Sequence, residues 1–198
     1  MRFGIDLDGV VANFTDTFKA EVNKVWLGKL EVTYQPTDWN WSDKLTTAEI
    51  DYIWGIIKRK PNFWLELRPI IENVRAIALH RIRHPQDEIF YVTARVSTKG
   101  MPVMHQTQVW LGECGISGLG TAVIVDHSGD KVPIFNSLEC EANIDDKLEA
   151  VIQHDSKTNG AFLLDQPWNR VGRPPAIRVV GSLQEFFEAV RSRKHAAS

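Results

Sequence analysis

The feature that most constrains this chain is a series of short apolar runs, each ending on polar residues, with helix-patterned stretches between them. The runs are "RFGIDLD" at the start, "EIFYVTAR" (88–95), "TAVIVDH" (121–127), "CEANIDD" (140–146) and "GAFLLDQ" (160–166), with "AIRVVG" (176–181) as a candidate sixth. Each is the length of one buried strand and rich in β-branched or aromatic residues. Helical patterns fall near 69–83, 102–113, 147–157 and 182–193, the last with Ser182 as N-cap and Glu185 at the capping-box position. Such alternation predicts an α/β fold, a three-layer α/β/α parallel sheet with helices on both faces. Sheets of this kind bind ligands outside the carboxyl ends of their strands. Asp6, Asp8, Thr93, Asp145 and Asp146 all fall at that edge.

One segment breaks the rhythm. About eighty residues separate the first run from "EIFYVTAR", far more than a minimal crossover needs. They are helix-patterned near 12–27, 46–59 and 69–83 and carry five of the seven tryptophans: Trp26, Trp39, Trp41, Trp54 and Trp64. The expected organisation is a core of residues 1–13 and 76–198 with a helical cap, residues 14–75, inserted after the first strand.

Charge and composition exclude several function classes. The formal net charge is −2, so no global basic field recruits nucleic acid, and a nucleic-acid partner is not expected. No apolar run approaches the ~20 residues that span a bilayer, so no membrane partner is expected. The first predicted strand starts at residue 2, so a signal peptide is not expected either. Cys114 and Cys140 are too few for a disulfide framework and read as buried fillers. A cytoplasmic protein is the expectation.

The chemistry is concentrated in the first run. Asp6 and Asp8 lie two residues apart on a strand, so they face the same way and repel. One such carboxylate can attack phosphorus as a nucleophile, and the other can protonate the leaving oxygen and then activate water. A phosphate brings more negative charge into an acidic site. Only a divalent cation makes that tolerable, and an all-oxygen ligand set favours Mg²⁺. Asp145 and Asp146 in "NIDDK" supply further ligands, Lys131 in "SGDKV" a phosphate partner and Thr93 in "YVTAR" a hydroxyl donor. Gly9 lets the backbone come close to a ligand.

These residues, in this order, resemble the haloacid dehalogenase (HAD) superfamily of phosphotransferases. Its signatures match Asp6-Leu-Asp8-Gly-Val, Thr93, Lys131 and Asp145-Asp146, across nearly the whole chain. The resemblance implies a HAD-like, Rossmann-like sheet ordered 160s strand, 140s strand, first strand, 90s strand and 120s strand. It implies Asp6 as nucleophile, Asp8 as general acid/base, and Thr93 and Lys131 as the remaining catalytic residues. Mg²⁺ is then expected on the Asp6 side chain, the Asp8 carbonyl and the acidic pair, with Asp146 favoured over Asp145. Asp8 argues against dehalogenase chemistry, which has no leaving oxygen to protonate.

A narrower resemblance is to the 5'(3')-deoxyribonucleotidase group. It rests on "DLDGVVANF", on "FWLELRPI" (63–70), on "YVTAR" and on "DQPWN" (165–169). That group uses a small cap whose aromatic side chains hold the base, which implies a (deoxy)nucleoside monophosphate as substrate. Phe14, Phe18, Phe63 and Trp64 are the candidates here, with plain cap core the favoured reading of any single one. Thr93, Ala94, Arg95 and Lys131 are the expected phosphate-side residues. The chain departs from the group at Thr93-Ala94-Arg95, where mammalian members read Thr-Ser-Pro. Arg95 suits a fork donor to phosphate or a cover for the site mouth. Two alternatives stand beside the nucleotidase. One is a HAD phosphatase for another small phosphate or a polynucleotide 3'-phosphate; the other is a catalytically silent binding module of the same fold. His80 and His84 have the i, i+4 spacing of some zinc sites, but no third ligand accompanies them.

Overall fold

A computed structural model describes residues 1–158 and 160–196. In chain order the elements are strands β1 (Arg2–Ile5) and β2 (Ala12–Asn13), helices α1 (Phe14–Val25) and α2 (Thr47–Arg59), strand β3 (Arg68–Pro69) and helix α3 (Ile71–Arg83). Then come β4 (Glu88–Ala94), α4 (Val103–Glu113), β5 (Thr121–Val125), α5 (Lys131–Ser137), β6 (Ala142–Asp145), α6 (Leu148–Thr158), β7 (Ala161–Leu164), β8 (Val179–Val180) and α7 (Leu183–Ala196).

Six strands form one parallel sheet in the order β5-β4-β1-β6-β7-β8. The five expected strands take their expected places, and the candidate sixth adds an edge beyond β7. β1 is central because Phe3 and Ile5 are apolar and fully buried between neighbours on both sides. Ile5 pairs with Tyr91 on one side and Ile144 on the other, which brings the carboxyl ends of β4, β1 and β6 level. Gly4 makes room for helix α5: a Cβ there would lie 2.3 Å from the Phe135 ring.

Two elements escape the sequence pattern. Helix α5 starts at Lys131 and holds Pro133, a residue that reads as a breaker. In the first turn of a helix proline's missing N–H costs nothing, because that group has no acceptor there. The other is the antiparallel ribbon in which Ala12 pairs with Pro69 and Asn13 with Arg68. It trims the helices expected at 12–27 and 69–83 to α1 and α3.

The ribbon brings together the two ends of the long segment after β1. Asn13 accepts the Asp16 N–H at 3.0 Å and so caps α1, and a Thr46–Glu49 capping box starts α2. Ile70 N–H donates to the Val11 carbonyl at 2.7 Å, and Asn73 Nδ2 donates to the Val10 carbonyl at 2.6 Å. One apolar cluster runs from Phe3 and Ile5 in the sheet to Phe18, Ile53, Phe63 and Trp64 in that segment. Among the described residues no helix is long and apolar enough to cross a membrane.

Candidate active site

Beyond Ile5 the chain turns sharply. Asp6 N–H still donates to Ile144 O at 3.1 Å, and the Leu7 carbonyl then accepts the N–H groups of Val10, Val11 and Ala12. Gly9 takes the left-handed φ of +86° this turn requires. The close approach it permits is to a side chain: a Cβ at Gly9 would sit 2.1 Å from Asp146 Oδ2.

The carboxylates form a buried floor. Lys131, at the start of α5, places Nζ 2.8 Å from Asp6 Oδ2 and 2.8 Å from Asp145 Oδ2. Asp6 Oδ1 accepts the Leu7 N–H at 2.8 Å, and Asp145 Oδ1 accepts the Lys147 N–H at 2.9 Å. Asp146 Oδ2 accepts the indole N–H of Trp168 at 3.0 Å, while its Oδ1 is buried with no partner. Burial pushes the Asp6 carboxyl up to about 7 against the pull of Lys131, with repulsion from Asp145 and Asp8 adding to the rise. Burial, then Asp145 and Asp6, hold the Asp146 carboxyl well above the ordinary range. Lys131 shifts upward too: burial disfavours its charge, but Asp145 and Asp6 more than compensate.

This set fits a hard divalent cation. Asp6, Asp145 and Asp146 each offer a ligand oxygen, and these atoms lie within 4.8 Å of one another. With all three carboxylates ionised the floor carries two more negative charges than Lys131 can balance, and Asp146 Oδ1 is a buried acceptor without a partner. Both oxygens of Asp145 are already engaged, which favours Asp146 as the direct ligand. Among the described residues the cluster that could hold a metal ion does not include His80. Its Nε2 lies 2.9 Å from Asp87 Oδ2, and its ring stacks on Phe187 at 3.8 Å.

Asp8 stands apart from this cluster. Arg95 grips it as a fork, NH2 to Oδ1 at 2.7 Å and Nε to Oδ2 at 3.0 Å, and Thr93 Oγ1 donates to Oδ2 at 3.2 Å. Arg95 NH1 donates to Thr107 Oγ1 at 3.1 Å, and its guanidinium lies 4.9 Å from the Trp64 ring and 5.7 Å from that of Trp110. Only 3% exposed, Arg95 is behind Asp8 and outside the pocket lining. It does not cover the mouth, and three of its five N–H donors are turned to Asp8 and Thr107.

Above the floor lies a pocket of about 200 Å³. Asp6, Asp8, Thr93, Ala94 and Lys131 line one side; Phe14, Trp39, Trp54 and Trp64 line the other. The tryptophans layer around Phe14, with Trp54 at 5.6 Å and 17° and Trp39 at 5.8 Å and 22° between ring planes. Phe18 is not in this wall. It is 1% exposed and packs behind Phe14, against Trp41 at 5.0 Å and Trp54 at 6.0 Å. Phe63 is fully buried as well.

Seven lining residues escaped the sequence reading: Val96, Asp126, His127, Ser128, Trp39, Trp54 and Lys147, whose Nζ sits 4.4 Å over the Trp39 ring. The tryptophan-rich composition pointed to the region, and "NIDDK" placed Lys147 directly after the acidic pair. Neither signal tells which side chains face inward.

The model of the family described as 5' nucleotidase, deoxy (pyrimidine), cytosolic type C matches residues 1–190. No curated protein sequence matches the chain. Solved structures share its fold at low identity. A haloacid dehalogenase-like hydrolase from Streptococcus pneumoniae superposes with a TM-score of 0.59 at 9% identity, covering 95% of this chain and 97% of its own. The D,D-heptose 1,7-bisphosphate phosphatase of Burkholderia thailandensis gives 0.54 at 14% identity, with 96% and 98% covered. The L-2-haloacid dehalogenase of Xanthobacter autotrophicus gives 0.56 at 10% identity, with 96% and 98% covered.

Proposed function

The chain belongs to the cytosolic type C deoxy (pyrimidine) 5' nucleotidase family, and from that membership we propose that it is a Mg²⁺-dependent 5'(3')-deoxyribonucleotidase acting through an aspartyl-phosphate. It is a hydrolase of HAD-like fold. The observation that carries the finer reading is the pocket itself, where a carboxylate-lysine floor meets a wall of stacked aromatic rings.

In this reading a nucleobase lies against the aromatic wall and the phosphate meets Lys131 on the floor, with Thr93 donating to it once its hydroxyl leaves Asp8. Asp6 attacks phosphorus, the bond to the nucleoside oxygen breaks, and Asp8 delivers a proton to that oxygen. Asp8 then takes a proton from the water that attacks the phosphoryl-aspartate, releasing inorganic phosphate and restoring Asp6. Both Asp8 oxygens accept from Arg95 at rest, so proton delivery requires one of them to rotate off the fork. Arg95 stays behind, held by Thr107 and the faces of Trp64 and Trp110. Asp6, the Asp8 carbonyl and Asp146 would hold the divalent cation, which would neutralise phosphate charge when bound.

Residues 14–75 serve in this reading as the cap over residues 1–13 and 76–198. The β2–β3 ribbon supports an inserted segment, because it pairs residues 12–13 with 68–69 beside the site, while residue 75 falls inside α3. The free thiols of Cys114 and Cys140 support a reducing, cytoplasmic setting.

Phosphate release from dTMP, with Mg²⁺ or EDTA, tests the reading on wild type and Asp6→Asn. Turnover is expected only with Mg²⁺, and the variant is expected to lose about 10⁴-fold or more while staying folded. Wild-type turnover by Asp6→Asn overturns the nucleophile, and undiminished turnover in EDTA overturns the cation.

A further inference from the structure

The loop after β7 reaches beneath the site, yet none of its residues carries a step in the mechanism. Its short helical turn, Pro167–Asn169, is tied to the floor at three points. Trp168 Nε1 donates to Asp146 Oδ2 at 3.0 Å. Asn169, only 2% exposed, donates from Nδ2 to the Asp146 carbonyl at 2.7 Å and the Leu164 carbonyl at 2.8 Å. Gln166 Nε2 donates to the Gly9 carbonyl at 2.9 Å.

These contacts define one orientation of the Asp146 carboxylate. Its Oδ2 is wedged between the indole N–H and the bare Cα of Gly9, where a Cβ would lie 2.1 Å away. Its Oδ1 is buried without a partner. An indole carries one donor and no acceptor, so it distinguishes the two oxygens and occupies one of them. The Trp168 ring is itself braced by Trp39, edge-on at 6.0 Å and 62°.

We propose that Trp168 is a positioning residue for a divalent cation, its indole N–H fixing Asp146 so that Oδ1 alone is left to ligate. The proposal rests on the cation reading above and adds to it a group that never touches the ion. A partner that orients a ligating carboxylate is worth 10–100-fold in metal affinity, whereas a ring that only fills space is worth little.

Calorimetric titration of the full chain with Mn²⁺ separates the two. Trp168→Phe keeps the ring and removes the donor, and Trp168→His restores a ring N–H. Affinity is expected to fall about 10-fold to 100-fold in Trp168→Phe and to recover in part in Trp168→His. The rise in thermal midpoint on adding Mn²⁺ is expected to shrink in Trp168→Phe in parallel, which is a check on folding. Wild-type affinity in Trp168→Phe, or equal weakening in both variants, overturns the role of the N–H alone. A wild-type protein that binds no Mn²⁺ overturns the cation reading together with this one.

Discussion

The floor of the pocket is a set of buried charges, nearly all tied to a named partner; its roof is three tryptophans layered around Phe14. The two halves do opposite things to the resting protein. The floor holds three carboxylates against one lysine, so in the absence of a cation it costs stability. The roof buries large apolar rings and so contributes stability. The floor thus has interaction energy to release when a cation and a phosphate arrive. In the proposed function a base bound on the flat face of the roof meets it equally in ground and transition state, which would tighten binding without speeding the chemistry.

Separating the roof from the layer behind it gives the largest expected effect. Phe18 backs Phe14 and is out of the pocket, so Phe18→Ala is expected to cost about 3–5 kcal/mol of stability and to leave the ranking of substrates unchanged. Denaturant unfolding beside a substrate panel checks both halves. A changed ranking would move Phe18 into the wall.

Truncating the roof itself comes next. Trp54→Ala removes a stacking face worth ~1–3 kcal/mol per base. KM for a deoxynucleoside monophosphate is therefore expected to rise about tenfold, with kcat close to wild type. An equal fall in kcat would show that the ring also orders the reacting groups.

Relaxing the floor gives the smallest effect and the opposite sign. Asp6 is pushed up to about 7 and Asp146 is raised, so the folded state holds protons that the unfolded chain has released. Cation-free protein should then lose stability as pH rises from the ordinary carboxylate range through about 7. His80, pushed down to about 4 chiefly by burial, works the other way: its contribution is lost as pH falls from the ordinary histidine range. The difference between wild type and Asp146→Asn cancels His80. In EDTA at pH 8 the variant is expected to be more stable by about 1 kcal/mol, with the gap narrowing towards pH 5. A variant less stable than wild type at pH 8 would mean that the floor is not under electrostatic strain.

The same contrast governs what the sequence reveals. Asp6, Asp8, Thr93, Asp145 and Asp146 converge because a parallel sheet brings its strand ends to one edge, and the order of apolar runs is enough to predict that edge; Lys131 joins them from the start of α5. Strand alternation also accounts for Arg95: it lies two residues from Thr93, and both side chains reach Asp8. Its partner was not legible, because the Asp8 carboxylate and a phosphate present a guanidinium with the same chemistry. The roof was harder still. Phe14 and Phe18 are four residues apart and share one face of α1. Periodicity cannot tell which of them faces the pocket and which the ring behind it. Trp39 lies outside any helix or strand, so no period describes it. Helix α5 was hidden by Pro133, although its first residue, Lys131, stood out by its order and position in the chain.

In the proposed function a charged floor and an aromatic roof together select a nucleotide. The direct measurement is kcat/KM with Mg²⁺ for deoxynucleoside monophosphates beside glucose 6-phosphate. A sugar phosphate meets the same floor but has no flat face for the roof. The account predicts about tenfold or greater preference for the nucleotides, the stacking contribution of one base; equal values for the two classes would contradict it.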